Sequence, residues 1–179
     1  MTVHIRDATI WDAADIEAVH YASREAAFGD QVPRAAFRAL GPEERLARWR
    51  EWLANPEISA IVGEEGGEIV GFATVRRATD ADLNGGIIAE MPTLYVHPAA
   101  WGKGYGLALC AATEIRAAQA GYVELILWVL EINQRARRFY ERNGFWHDGA
   151  RKRDDGPVPT TLVALRYRKP LGAPGRHLS

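Results

Sequence analysis

Three glycines on alternate positions mark the stretch of the sequence with the clearest chemical meaning. They are Gly102, Gly104 and Gly106, in the segment WGKGYG. An apolar run ends just before them and a helical pattern begins at Tyr105, so the sequence predicts a loop between a strand and a helix. The first N–H groups of a helix lack intrahelical acceptors and carry the positive end of the helix dipole. Because glycine lets an anion approach such groups closely, the stretch indicates phosphate binding.

The spacing of the glycines excludes the two commonest nucleotide loops. A G-x-G-x-x-G dinucleotide loop would need glycine where the chain has Leu107, and the G-K-S/T triplet of a P-loop is absent. A dinucleotide-dependent oxidoreductase is therefore disfavoured. The remaining pattern, G-x-G-x-G, is not specific by itself, and a glycine turn that binds nothing stays an alternative.

A second stretch, NQRARRFYERNGF over residues 133–145, supplies the context that the loop lacks. Together with EMPTLYVHPAAWGKGYGLAL, it resembles the GNAT superfamily of N-acetyltransferases over residues 90–145. The resemblance implies acetyl-CoA as co-substrate. It also implies a primary amine as acceptor, on a small molecule, a peptide N-terminus or a lysine, with direct transfer of the acetyl group.

The resemblance assigns the cofactor-binding residues. The glycine loop matches the pyrophosphate-binding segment, and Asn133 matches a residue that hydrogen-bonds the pantetheine arm. Three residues of the preceding strand match the edge along which pantetheine extends as an added strand would. The predicted cofactor-binding set is Leu94, Tyr95, Val96, Gly102, Lys103, Gly104, Tyr105, Gly106, Asn133 and Tyr140. Judged by residue type alone, Asn133 also suits a helix N-cap.

Trp101 departs from the family pattern, which usually has Arg or Gln at this position. An indole offers one N–H and no charge. We therefore expect its ring to pack on the sheet edge without a polar role. On this interpretation Trp101→Ala leaves CoA affinity nearly unchanged, whereas a bulky residue at Gly104 abolishes it.

The resemblance also assigns two catalytic residues. Tyr140 matches a tyrosine near the thioester sulfur, where a phenol can protonate the departing thiolate. Its alternative is a core aromatic. Glu90 matches a carboxylate that takes the proton of the amine, often through water, and its alternative is a surface carboxylate. His97 and His20 are weaker candidates for the base.

Hydrophobic periodicity predicts the elements that must position these residues, in the family's order of a mixed α/β fold. Its central sheet is mostly antiparallel with one splayed parallel pair, 87–96 and 123–130, and Pro92 predicts a bulge in the first of these strands. We expect one domain over residues 1–170 and a disordered tail over 171–179. The other predicted strands are 3–6, 58–65, 68–77, 145–151 and 160–168, and the predicted helices start at 12, 42, 105 and 133.

Composition sets limits on the function. The 179 residues are 47% hydrophobic and 25% charged, with a formal net charge of −1, an ordinary soluble profile that gives no support for nucleic-acid binding. Apolar runs are too short to span a membrane, and the start lacks the pattern of a signal peptide. Cys110 alone cannot form an intramolecular disulfide, so we expect a cytoplasmic protein, with this cysteine in the core. The histidine spacing suggests no metal site.

The acceptor and the assembly stay open at this point. Asp80, Asp82 and Glu90 favour a cationic amine if they face the site, but loop carboxylates are usually just solvated. O-acetylation, or transfer from a longer acyl donor, is a further hypothesis for the same fold. A non-catalytic acyl-CoA-binding module is the alternative function, and a homodimer is neither indicated nor excluded.

Overall fold

A seven-stranded sheet with helices on both faces forms the framework of the protein. The computed structural model describes residues 3–28, 40–83, 87–153 and 162–172. The helices are α1 (Ala13–Phe28), α2 (Pro42–Ala54), α3 (Tyr105–Gln119) and α4 (Gln134–Arg142), with short 3₁₀ turns at Ile10–Asp12 and Pro98–Ala100. The strands are β1 (His4–Asp7), β2 (Ser59–Glu65), β3 (Glu68–Arg77), β4 (Ile88–Val96), β5 (Glu124–Leu130), β6 (Trp146–Arg153) and β7 (Val163–Pro170).

The sheet is mostly antiparallel, with strand order β1-β2-β3-β4-β5-β7-β6. Its one parallel ladder joins β4 to β5 and covers only Ile88–Glu90 and Glu124–Ile126. Beyond these residues, β4 and β5 have no paired positions in the described part of the chain, so the two strands diverge. The predicted mixed sheet with a splayed parallel pair is therefore confirmed.

The bulge predicted from Pro92 is present in β4. Thr74 faces Thr93 and Arg76 faces Glu90, so two residues of β4, Met91 and Pro92, stand opposite one residue of β3. Proline has no N–H to donate, which makes an interruption of the ladder inexpensive at this position. The bulge lies directly after the parallel ladder, at the point where β4 and β5 begin to diverge.

Two apolar layers cover the two faces of the sheet. On one face, α1 and α2 pack on β2 and β3 through residues such as Ile16, Trp49 and Phe72. On the other face, α3 and α4 contribute Cys110 and Tyr140 to the larger core. In both layers, the apolar residues that each helix contributes recur at helical spacing, so they lie on the face of the helix that meets the sheet.

The predicted boundaries agree with the observed ones to within three residues wherever the chain is described. The first helix starts at residue 13 rather than 12, because residues 10–12 form a 3₁₀ turn. The predicted tail lies outside the described residues, apart from 171 and 172.

Candidate active site

A cleft of about 640 Å³ opens where β4 and β5 diverge. Its walls come from α1, β4, the glycine loop, the starts of α3 and α4, and the strands β5, β6 and β7. Every predicted cofactor-binding residue lines it except Lys103. Of the two predicted catalytic residues, Tyr140 lines the cleft and Glu90 is outside its lining.

The glycine loop presents open backbone to this cleft. Gly102 and Gly104 have φ values of 78° and 90°, which L side chains rarely adopt, and a Cβ at either position would meet no atom within 4 Å. The first intrahelical bond of α3 runs from the Ala108 N–H to the Gly104 carbonyl at 3.0 Å. The N–H groups before it in this turn have no intrahelical acceptor. A diphosphate therefore fits this cradle both sterically and electrostatically.

Side chains of the loop brace it against β2. The Lys103 ammonium lies 3.3 Å from a Glu65 carboxylate oxygen, which accounts for its absence from the cleft lining. Tyr105 is buried, and its pKa is raised by burial and by the neighbouring Glu65 carboxylate. These contacts leave the loop's backbone, rather than the Lys103 ammonium, to face a ligand.

Trp101 has a polar role, so the expectation of an apolar ring without one is wrong. Its Nε1–H donates to the Val96 carbonyl at 2.6 Å, and the Arg135 guanidinium lies 3.6 Å from its ring centroid. The indole therefore ties the glycine loop to the end of β4 and to the start of α4. Nothing in the local sequence signals these partners, because both are brought to Trp101 by the tertiary fold.

The edge of β4 and the start of α4 face each other across the cleft. Leu94, Tyr95 and Val96 line one wall, and the Val96 carbonyl also accepts from the Ser23 hydroxyl at 2.9 Å. Asn133 lines the other wall and caps α4, because its Oδ1 accepts from the Ala136 N–H at 3.1 Å. The cap leaves the Asn133 amide NH₂ available as a donor, so the capping and pantetheine-binding roles are compatible.

Tyr140 is held in an apolar setting at the cleft wall. Only 8% of the residue is exposed, and its ring makes edge contacts with Phe139 and Phe145. Burial raises the pKa of its phenol strongly, and the nearby Cys110 and Tyr95 raise it further. Tyr140 is therefore a neutral O–H donor at physiological pH, in the state that a general acid requires.

Glu90 is buried, so the alternative of a surface carboxylate is wrong. It is 6% exposed and accepts from Arg76 Nε at 3.0 Å and from Arg76 Nη2 at 2.8 Å. It is the last β4 residue before the bulge. The structure thus places this carboxylate behind the cleft wall in an ion pair.

The other titratable candidates have structural environments. His97 caps a 3₁₀ turn, because its Nδ1 accepts from the Ala99 N–H at 3.3 Å. His20 packs edge-on against Trp49 and Tyr95, and burial lowers its pKa. Cys110 is in the core, as expected, where burial raises the pKa of its thiol to about 12.

The far end of the cleft is formed by residues that the sequence did not single out. Arg24 and Phe28 approach from α1, Trp128 from β5 and Lys152 from β6. The Lys152 ammonium lies 4.1 Å from the centroid of the Trp128 ring. A tryptophan within the mostly aliphatic strand 123–130 was the one local signal available for this surface.

Acidic residues near that end are paired with a buried arginine. Arg166 Nε donates to Asp148 at 2.7 Å, and its two Nη atoms donate to the Asp82 carboxylate at 2.8 and 2.6 Å. Asp80 lies 3.6 Å from the same guanidinium. Asp80 and Asp82 are thus engaged with Arg166, which removes the basis for expecting them to favour a cationic amine.

The fold and the cleft together define a class: an α/β protein with a glycine loop at a helix start, beside the point where two parallel strands diverge. The comparisons with known proteins give the family. The model of the acetyltransferase (GNAT) family matches residues 27–145, more than half of the chain, and the chain belongs to that family.

Relatives in two bacterial lineages carry the same family name. An uncharacterized N-acetyltransferase of Mycobacterium tuberculosis is 35% identical over 105 residues, and the match covers 59% of this chain and 64% of that protein, less than two thirds of its length. An uncharacterized N-acetyltransferase of Bacillus subtilis is 33% identical over 146 residues, covering 82% of this chain and 91% of the relative.

A solved structure shares the fold over nearly the whole chain. The PaiA N-acetyltransferase of Thermoplasma acidophilum, solved in complex with coenzyme A, has a TM-score of 0.75 and 19% identity, with 95% of this chain and 99% of that chain covered. At this identity the likeness shows the fold alone. Within the described residues, no helix is long and apolar enough to cross a membrane. The same residues hold no group of three or more metal-ligating side chains.

Proposed function

We propose that the protein is an acetyl-CoA-dependent N-acetyltransferase that transfers the acetyl group directly to a primary amine. The observation that carries the proposal is the meeting of three features in one cleft: a β4 edge from which β5 diverges, a glycine cradle and a buried neutral phenol. Membership of the acetyltransferase (GNAT) family supports the reaction class. The single-cysteine composition further supports a cytoplasmic location.

The binding half of the proposal rests on backbone groups. The N–H groups of residues 102–106 would hold the pyrophosphate, and the β4 edge with the Asn133 amide would hold the pantetheine amides. Acetyl-CoA, when bound, supplies the thioester carbonyl that an amine attacks. Holding both reactants in one cleft gives the rate advantage of proximity and orientation.

Tyr140 would donate a proton to the sulfur as the thioester bond breaks. Its raised pKa keeps the proton in place until then. Apolar surroundings raise the pKa of any acid whose charged form they desolvate, so they would raise the pKa of a CoA thiol beside Tyr140 as well as that of the phenol. Proton transfer from the phenol to the departing thiolate therefore stays feasible. A backbone N–H of the bulged β4 would stabilise the oxyanion of the tetrahedral intermediate.

Glu90 would accept the proton of the amine through water. Its carboxylate lies behind the cleft wall at the bulge, and Arg76 fixes its orientation through two hydrogen bonds. No Asp or Glu lines the cleft in the described part of the chain, which makes a water-mediated route necessary if Glu90 is the base.

Thiol release from acetyl-CoA with a panel of amines tests the proposal. Tyr140→Phe should lower kcat by about a hundred-fold or more, with a much smaller change in the Kd for CoA, because phenylalanine keeps the ring that lines the cleft and removes only the hydroxyl. Tyr122→Phe is the matched control, since Tyr122 packs on the same core outside this cleft.

Two outcomes would contradict the proposal. Equal turnover by the wild type and Tyr140→Phe would remove Tyr140 as the acid. Tight CoA binding by the wild type, without thiol release on any amine, would instead support the non-catalytic acyl-CoA-binding module.

A further inference from the structure

The glycine loop has a cationic neighbour that comes from another helix. Arg135 is the second residue of α4, and its guanidinium carbon lies 3.6 Å from the centroid of the Trp101 ring. Trp101 directly precedes Gly102, the first glycine of the loop. Arg135, Trp101 and Gly102 all line the same cleft. The fold therefore places a positive charge from α4 beside the loop that leads into α3.

The contact with Trp101 leaves the hydrogen-bond donors of Arg135 available. A guanidinium that rests on an aromatic face interacts through its charge and its own flat face, which takes up none of its five N–H groups. Arg135 forms no hydrogen bond or ion pair with another described residue. The indole beneath it is fixed, because its Nε1–H donates to the Val96 carbonyl at 2.6 Å. Arg135 thus combines a held position with unused donors.

The position of Arg135 is unfavourable for α4 itself. The positive end of the helix dipole disfavours a cation in the first turn, and α4 has no acidic residue there to offset it. The side chain is exposed, so it adds no core packing, and Asn133 caps the helix without it. The charge at this position is therefore better explained by a ligand than by the stability of the helix.

The glycine loop brings no side-chain cation of its own to the cleft. The Lys103 ammonium lies 3.3 Å from a Glu65 carboxylate oxygen and is outside the cleft lining. Trp101 carries no charge. Arg135 supplies, beside the loop, the positive charge that neither of these residues brings to the cleft.

Resting on the proposed function, we infer that Arg135 binds the diphosphate of the CoA donor and that Trp101 positions Arg135 for this contact. The N–H groups of the glycine loop bind the diphosphate, and the guanidinium donates charge-assisted hydrogen bonds to its remaining oxygens. Trp101 restricts the rotamers of Arg135, which reduces the entropy lost when the ligand binds. The site then takes its backbone donors from α3 and its side-chain charge from α4.

Calorimetric titration with two ligands tests the assignment. CoA carries a diphosphate and a ribose 3′-phosphate, whereas dephospho-CoA keeps only the diphosphate. Arg135→Ala should weaken the binding of both ligands by the same factor, about ten-fold or more, because each loses the same charge-assisted hydrogen bonds. A loss confined to CoA would assign Arg135 to the 3′-phosphate, and unchanged affinity for both ligands would remove it from the site. Either result would overturn the inference.

Arg138→Ala is the matched control. Arg138 lies one turn further along α4, is exposed and does not line the cleft. The variant removes the same charge, so it should leave both Kd values within about two-fold of the wild type. An equal loss in the two variants would indicate a general charge effect and would contradict a direct contact. Urea unfolding checks that both variants fold, as we expect from the exposure of both side chains.

Two further variants test the geometry of the contact and the part played by Trp101. Arg135→Lys should recover only part of the affinity, because lysine keeps the charge but lacks the planar fork. In an Arg135→Ala background, Trp101→Ala should cost less CoA affinity than it does in the wild type. Full recovery in Arg135→Lys would refute the fork geometry, and strictly additive losses would refute the positioning role of Trp101.

The titrations contain no acceptor amine, so their outcome is separate from turnover. A wild-type protein that binds CoA but acetylates no amine would contradict the proposed function, while the Arg135 variants would still decide this inference. Turnover by the wild type together with equal CoA affinity in Arg135→Ala would refute this inference alone. A wild-type protein that binds no CoA would refute both.

Discussion

Trp101 gives the glycine loop a rigidity that its glycines cannot supply. The loop needs positive φ values at Gly102 and Gly104 to present its N–H groups, and glycine has the largest conformational entropy to lose. The indole holds the loop at two points, through the Val96 carbonyl and the Arg135 guanidinium. If the pyrophosphate binds the loop as proposed, the indole would raise its affinity by preorganising the backbone.

Trp101→Ala should weaken CoA binding by about three- to ten-fold, the loss expected from one N–H···O bond and one cation–π contact. The CoA affinity of Trp101→Phe should lie between those of the wild type and Trp101→Ala, because phenylalanine keeps a ring under Arg135 but lacks the indole N–H. Calorimetric titration with CoA measures both. Trp146→Ala, on exposed β6, is the control. Unchanged CoA affinity in Trp101→Ala would show that the ring only packs on the sheet edge and does not preorganise the loop.

Single residues also show where sequence reasoning stops. The positions of the glycines, Asn133 and Tyr140 in the cleft could be predicted, because a motif fixes its residues relative to one local turn. The partners of Trp101 and Glu90 could not, since Val96, Arg135 and Arg76 reach them only through tertiary packing. The roles of Glu90 and Tyr140 in the reaction stay predictions.

At the scale of elements, α3 has a glycine in the same backbone conformation at each end. Gly104 precedes its first turn with φ 90° and Gly121 follows its last turn with φ 89°. A Cβ at either position would meet no atom within 4 Å. The two sites thus carry similar strain for any other residue, and only the first faces the cleft.

Gly104→Ala and Gly121→Ala should each lower the free energy of unfolding by about 1–2 kcal/mol, the cost of an L residue in the left-handed region. Only Gly104→Ala should also weaken CoA binding, by more than about ten-fold, because the new methyl group occupies the cradle. Urea unfolding and CoA titration distinguish the two effects. Equal CoA affinity in both variants would place the pyrophosphate elsewhere.

Element boundaries were the most predictable feature of the fold. Apolar periodicity, Pro42 at the start of α2 and Pro92 in β4 are local signals, and the structure has the predicted elements there. The far end of the cleft was not predictable, because it joins α1, β5 and β6 from distant parts of the chain. Their side chains follow ordinary periodicity, so they carry no separate signal in the sequence.

At the scale of the molecule, Arg166 joins three separate parts of the chain. Its guanidinium binds Asp148 on β6 and Asp82 in the segment between β3 and β4, from its own position on β7. It also lies 5.6 Å from the centroid of the Trp128 ring, which lines the far end of the cleft. One buried charge therefore joins this edge of the sheet to the far end of the cleft, which Trp128 lines.

Arg166→Leu should lower the free energy of unfolding by about 3 kcal/mol or more, because it leaves the buried Asp148 carboxylate without its main partner. Asp82→Asn should cost less than about 1 kcal/mol, since the Asp82 side chain is 62% exposed and its attraction is screened by water. Urea unfolding measures both. The Kd for CoA should stay unchanged in Arg166→Leu, because Arg166 and its carboxylate partners lie outside the cleft lining that contains the glycine loop. Equal destabilisation by the two variants would contradict the difference in burial between Asp148 and Asp82, and a loss of CoA affinity in Arg166→Leu would contradict the separation of this cluster from the CoA site.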